Sequence, residues 1–314
     1  MELRDIEIFL TLSEELHFSR TAEKLRITQA RVSQSIKKQE RRIGAPLFER
    51  TSRTVRITPI GSRLYDDLRR AYDLIHSGLA RATSTAQGVQ GTLRLGVMGA
   101  LGNELRPVIE EFRTRHPGCD VQTTEFHFSE PFTALRSGEV DMQLMWLPVR
   151  ETDLTAGPVV LTEGRVLAVA ETSDLARRTS VSMEELAGRH VLDAGPAAPD
   201  YWIHAMIPAS TPAGRPVPRG PRVRTFHEAL TLIAAGQIVS TLNAHVDRYY
   251  TYPGIVYLPV HDAPRTEWAL IRRAADETPL MRAFAQTGHD MGPRPIAPGP
   301  EAGSYRVENA AREA

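Results

Sequence analysis

Cysteine is nearly absent from this 314-residue sequence: Cys119 is the only one. A lone thiol cannot close an internal disulfide or supply a thiolate-rich metal site, and an inert thiol beside a strand is the plainer reading than a redox sensor. No apolar run reaches the ~18 residues of a membrane span. The opening residues Met1 to Asp5 are charged and amphipathic, unlike a signal peptide, which points to the bacterial cytoplasm. Net charge is also missing, with 38 basic and 38 acidic side chains. Catalytic signatures are wanting too. There is no HExxH, Gly-x-Ser-x-Gly, P-loop or GxGxxG, and the ten histidines show no ligand spacing. His245-x-Asp247 and His261-Asp262 read as surface polar pairs. No catalytic residue, metal or cofactor is expected, and the chain does not read as an enzyme.

What is present is local concentration of charge. Between Arg26 and Arg56 nine basic residues face only Glu40 and Glu49, a net +7 in a neutral chain. A solvated charged face would explain such a run in an arbitrary sequence. Here the charges coincide with a helix-turn-helix pattern, which favours double-stranded DNA. Ser19 reads as an N-cap, Ala22 and Leu25 share a face, Arg26-Ile27-Thr28 makes the turn, and Thr28 caps the next helix. Val32, Ile36 and Ile43 point inward. Gln29, Arg31, Ser33 and Gln34 then face the major groove, with Lys37 and Lys38 toward phosphates. Arg50, Arg53 and Arg56 belong to a short basic hairpin around Val55 and Ile57 and, like Ser19, are expected to contact DNA, Arg53 at the backbone or minor groove.

These residues resemble the LysR-type transcriptional regulators. The resemblance rests on His17-Phe18-Ser19, Ala22-Glu23-Lys24-Leu25, Thr28-Gln29, Val32-Ser33, Ile36, Glu40, Gly44, Leu47-Phe48-Glu49-Arg50, Arg53, Thr58-Pro59 and Gly61. It is dense over the first sixty residues or so and looser beyond. Ala30-Arg31 and Gln39 depart from the family pattern of Pro-Ala or Pro-Ser and Leu; Gln39 is expected to weaken one helix contact.

Residues 62–86 read as a long helix with an apolar seam of Leu64, Leu68, Ala71, Ile75, Leu79 and Ala82. A partner helix is its natural cover, with Leu64, Leu68, Ile75 and Leu79 at the interface; packing on the chain's own effector domain is the other reading. The resemblance implies a linker helix pairing two subunits antiparallel, and a tetramer of two dimers. Residues 83–88 read as a flexible hinge.

Beyond it strands alternate with helices, which predicts a parallel sheet covered on both faces. Gly138-Glu139-Val140-Asp141, Glu163 with Val166 to Val169, and Met183 to Gly188 resemble the family's effector domain, which is similar to a type 2 periplasmic binding protein. Effector residues are then expected at strand ends: Met98, Gly99 and Ala100; Phe126, His127, Phe128 and Ser129; Trp146; Gly195; Thr225 and Phe226; Thr241. Ser129 is expected to cap a helix and hold a polar group. Residues 194–221 carry seven prolines around Tyr201-Trp202, a loop that either lines the cleft or decorates the surface.

The expected architecture is α+β and multidomain. A winged helix-turn-helix occupies 1–61, linker helix and hinge 62–88, and an α/β effector domain 89–291, with a disordered tail at 292–314. One subdomain takes 89–163 plus 266–291 and the other 164–265. The expected function is sequence-specific transcriptional regulation of promoter DNA, gated by a small molecule. An activator would also contact RNA polymerase. The alternative is a small-molecule binding protein acting without DNA.

Overall fold

The computed structural model describes residues 2–50, 54–87 and 89–297, and the chain divides into two compact units, Met1–Thr83 and Ser84–Ala314.

In the first unit α1 (Leu3–Glu15), α2 (Phe18–Leu25) and α3 (Gln29–Ile43) enclose a core that includes Phe9, Leu12, Val32, Ile36 and Leu47. The turn between α2 and α3 is three residues, with Arg26 in the left-handed region at φ 52° and Ile27 packed on the core. Thr28 caps α3 by accepting from the Arg31 amide at 3.2 Å. The cap of α2 differs from expectation. It is His17, whose extended backbone lets ring Nδ1 accept from the Arg20 amide, so Ser19 lies inside the first turn.

Gln39, expected to weaken a helix contact, makes hydrogen bonds across it, although its Oε1 is buried without a partner. It is buried and donates to the Asp5 carbonyl at 2.8 Å and Ser35 Oγ at 3.2 Å, while Ser35 donates to Asp5 Oδ1 at 2.8 Å. This polar bridge ties α1 to α3 through a dry interior, where each bond matters because its groups have no water to fall back on. Burial works against the charged form of Asp5, but hydrogen bonds from Ser35, the Glu2 amide and Lys38 outweigh it and hold the carboxyl below its usual range.

The wing is β1 (Phe48–Arg50) against β2 (Val55–Ile57), antiparallel, with Glu49 opposite Arg56. Glu40 Oε1 accepts from the Leu47 amide at 3.0 Å and positions the strand entry.

Helix α4 (Pro59–Gln87) begins before residue 62. Pro59 opens it, and the Thr58 hydroxyl accepts from the Gly61 amide at 3.0 Å. A Cβ on Gly61 would run into the Leu47 carbonyl, so this close approach requires glycine. The helix also runs through the residues expected as a hinge. Residues 83–87 contain neither glycine nor proline, and Ala86 and Gln87 are good helix formers, so nothing there stops it.

The second unit has two lobes. Its first sheet starts with β3 (Gly91–Val97), a 3₁₀ turn at Gly99–Asn103, α5 (Arg106–Arg115), β4 (Cys119–Glu125), α6 (Thr133–Ser137), β5 (Met142–Trp146) and β6 (Leu154–Glu163). The chain then crosses at Gly164 into the other lobe. There β7 (Arg165–Ala170), a 3₁₀ turn at Met183–Leu186, β8 (Val191–Asp193), α7 (Asp200–Met206) and β9 (Arg219–Arg222) are followed by α8 (Phe226–Ala234), β10 (Ser240–Asn243), α9 (Val246–Tyr249) and β11 (Ile255–Pro259). It returns with β12 (Thr266–Arg273), α10 (Pro279–Met291) and β13 (Arg294–Pro295).

The expected parallel sheet forms only in part. The first lobe is ordered β13-β6-β12-β5-β3-β4, with β3 parallel to β4 and β5, but β12 antiparallel to β5 and β6. The return strand inserts between two earlier strands from the opposite direction. The second lobe's β10-β7-β11 sheet is antiparallel throughout, and β8 pairs β9 in parallel. Strand β9 ends at Arg222, and three residues on Thr225 and Glu228 form a reciprocal cap that starts α8. The expected tail begins as structure: β13 pairs with β6 and Ile296 is buried as its apolar anchor. Residues 298–314 lie outside the described residues.

Candidate DNA interface and effector cleft

The two faces of α3 separate cleanly. Val32, Ser35, Ile36 and Gln39 are buried, while Gln29, Arg31, Gln34, Lys37 and Lys38 are exposed and Ser33 is half-buried. Ser19 Oγ donates to Gln29 Oε1 at 3.3 Å, joining α2 to the first turn of α3. Lys38 differs from its neighbours, since its Nζ lies 3.3 Å from Asp5 Oδ2 and so already has a carboxylate partner. Arg56 is exposed on the wing. Arg53 and the side chain of Arg50 lie outside the described residues.

The seam of α4 divides in two. Leu64 and Leu68, expected at a subunit interface, pack with Tyr65 and Tyr72 on the core of their own winged domain. That core is small and needs the first turns of α4 to close it. Further along, Leu74, Ile75 and Leu79 stand 60%, 43% and 59% exposed.

The second unit holds a cleft of about 750 Å³, its open mouth included, lined by residues of both lobes. Among the residues expected at an effector site, Met98, Gly99, Phe126, His127, Phe128, Trp146, Phe226 and Thr241 line it. Four do not, each for a visible reason. The Ala100 amide is already taken, since it donates to the Tyr250 hydroxyl at 3.0 Å. Ser129 caps no helix, since α6 starts only at Thr133; its hydroxyl donates to the Arg224 carbonyl at 2.9 Å. The Thr225 hydroxyl accepts from the Glu228 amide at 3.2 Å. Gly195 sits at φ 81° beside the Arg222 side chain.

Other lining residues carry no signal of their own in the sequence. Ile203, Met206 and Ile207 come from α7 and its end, so the proline-rich segment contributes a wall of the cleft. Asn243, His245, Val246 and Tyr250 come from the end of β10 and from α9. Behind the wall Trp146 stacks on Trp202 with centroids 3.8 Å apart and planes 8° apart, and the two exchange indole-to-carbonyl hydrogen bonds at 3.2 Å. Trp268 meets Trp146 edge-on at 5.6 Å.

Fully buried Glu163, at the crossover between lobes, accepts from the His245 amide at 2.7 Å, the Trp268 indole at 2.7 Å and His245 Nδ1 at 2.9 Å. Burial pushes the Tyr250 phenol up, and pushes the Arg165 guanidinium down to about 10. Cys119 is buried, its thiol pushed up by burial and donating to the Val89 carbonyl at 3.3 Å, as befits an inert side chain. Among the described residues no cluster of His, Cys, Asp or Glu could hold a metal ion, and no helix is long and apolar enough to cross a membrane.

A winged helix-turn-helix with a polar, basic outer face, followed on the same chain by a two-lobed domain with a ligand-sized cleft, defines a ligand-responsive DNA-binding regulator. The chain belongs to the LysR family: residues 3–62 match the bacterial regulatory helix-turn-helix protein, lysR family, and residues 86–291 match the LysR substrate binding domain. It is 26% identical over 286 residues to the HTH-type transcriptional regulator AlsR of Bacillus subtilis, covering 90% of this chain and 94% of that one. It is 28% identical over 291 residues to the DNA-binding transcriptional dual regulator OxyR of Escherichia coli, covering 91% and 93%. Among solved structures, full-length CbnR complexed with its target DNA superposes with a TM-score of 0.66 at 20% identity, covering 93% of this chain and 100% of that one. A full-length OxyR variant from Pseudomonas aeruginosa gives 0.59 at 23%, covering 92% and 95%. At these identities the two structures speak for the fold. The protein is thus a DNA-binding transcriptional regulator with an effector-binding domain, and nothing found supports a role without DNA.

Proposed function

We propose that α3 enters the major groove, where Gln29, Arg31, Ser33 and Gln34 read base edges while Lys37 and the wing Arg56 neutralise phosphates. The carrying observation is the sidedness of α3, whose apolar face is buried and whose polar face is open along its length. Lys38, paired with Asp5, is a weaker phosphate contact than Lys37. The subunits associate through the exposed stretch of α4 at Leu74, Ile75 and Leu79, giving a homodimer and, by family analogy, a tetramer. A symmetric dimer presents two identical readers, so the operators are interrupted palindromes. A small molecule in the cleft biases the arrangement of the subunits, for which a coupling of ~1–3 kcal/mol suffices. The protein acts in the cytoplasm on nucleoid DNA, contacts RNA polymerase where it activates, and performs no catalysis.

The test is operator binding by Gln29→Ala and Lys37→Ala. Gln29→Ala costs about 1–3 kcal/mol and relaxes base preference at one position, whereas Lys37→Ala weakens all sequences alike and lowers the salt slope by about 0.9. Unchanged affinity and preference in Gln29→Ala would remove α3 from the groove.

A further inference from the structure

The wall of the effector cleft is mainly apolar. Phe126, Trp146, Met206, Ile207 and Phe226 form its sides, and among the described residues no lysine or arginine lines it. Its one acidic lining residue is Glu125. The amide of Ala100, which an anion could otherwise recruit, is already held by the Tyr250 hydroxyl. Gly99 makes that bond possible: it sits at φ 49°, and a Cβ there would collide with the Tyr250 oxygen. An anion entering this cleft would therefore shed its water without gaining a lysine, an arginine or a free Ala100 amide in return.

One polar corner is unfinished. Asn243 is 6% exposed, and its Oδ1 is buried without a hydrogen-bond partner. Buried polar atoms without partners are rare and ask for an explanation. Two residues on, His245 turns Nδ1 to the Glu163 carboxylate at 2.9 Å. A carboxylate can only accept, so Nδ1 carries a hydrogen and the ring is committed to Glu163. One corner of the cavity thus offers a buried acceptor that no donor among the described residues fills.

We propose that the effector is an uncharged, largely apolar molecule with a hydroxyl on a ring, of the phenol class. Its O–H donates to Asn243 Oδ1, the acceptor left without a partner, and its ring lies among the aromatic and aliphatic walls. The proposal rests on the reading of the cleft as the effector site, and the experiment separates the two.

All three tryptophans of the chain stand in one cluster against this cavity, so intrinsic fluorescence of the full-length protein reports on it. The probes are 4-methylphenol, 4-methylbenzoate and toluene, titrated at neutral pH into the wild type, Asn243→Leu and Asn243→Ala. 4-Methylphenol should bind saturably and at least about tenfold more tightly than 4-methylbenzoate. Both variants should lose about tenfold toward 4-methylphenol and keep their response to toluene, because Asn243 Oδ1 has no partner in the protein to lose. Preference for 4-methylbenzoate overturns the ligand class and leaves the cleft as a binding site. Full retention of 4-methylphenol affinity in both variants overturns the polar anchor. No saturable response to any of the three probes overturns the cleft reading itself.

Discussion

Glu163 gathers three N–H donors on one fully buried carboxylate, two from His245 of the second lobe and one from Trp268 of the first. Glu163→Gln keeps the shape and replaces one oxygen by an NH₂ group. Whichever way the amide turns, a donor then faces a donor, so at least one protein N–H and one amide N–H are left buried and unpaired. Each such group costs about 1–3 kcal/mol, which puts the loss at about 2–5 kcal/mol. In a domain of this size 1 kcal/mol moves Tm by roughly 2–4 °C, so the effector domain should melt about 5–15 °C lower. Fluorescence melting reads that transition alone, because Trp146, Trp202 and Trp268 all belong to the second unit. The winged domain, followed by operator binding at low temperature, should be unaffected. A fluorescence Tm within ~2 °C of wild type would refute the view that this carboxylate binds the lobes through three necessary hydrogen bonds.

Asp5 has its carboxyl held low in the folded state, so its stabilisation is complete above the ordinary carboxylate value and is lost as pH falls through the lowered one; helical content of the winged domain should fade in acid below about pH 4, less steeply in Asp5→Asn. Replacing Leu74, Ile75 and Leu79 together by serine should give monomers by sedimentation with a winged domain that melts as before, whereas Leu68→Ser should lower that domain's Tm because its side chain packs on the core. Gly99→Ala should break the Tyr250–Ala100 bond, since methyl and phenol cannot share the space; a crystal structure retaining that bond would contradict the contact.

The helix-turn-helix was legible because its signals are local. Periodicity fixed which face of α3 is buried, and the Thr28 cap followed from a single residue. Caps chosen by geometry were not legible: Ser19 is the better capping residue, yet His17 is the one with extended backbone at the right place. The division of the α4 seam was hidden for a different reason. Leu64, Leu68, Ile75 and Leu79 have the same spacing and chemistry, and only the tertiary fold shows that the first two complete a small core. In the effector cleft, strand ends pointed to Phe126, Trp146 and Phe226. They could not reveal that Ser129 and Thr225 hydrogen-bond to the protein's own backbone, or that Asn243 Oδ1 has no partner. Those facts depend on pairings more than twenty residues apart, or on which way a hydroxyl turns.

Direct recovery of operator DNA tests the central claim. Purified protein incubated with fragments of its own genome at physiological salt, under excess random competitor, should retain a small set of fragments sharing an interrupted inverted repeat with half-sites about one helical turn or a multiple apart. Gln29→Ala should alter the bases enriched within each half-site while leaving the spacing unchanged. Retention no better than that of competitor DNA, or an identical half-site from Gln29→Ala, would contradict sequence reading by the polar face of α3.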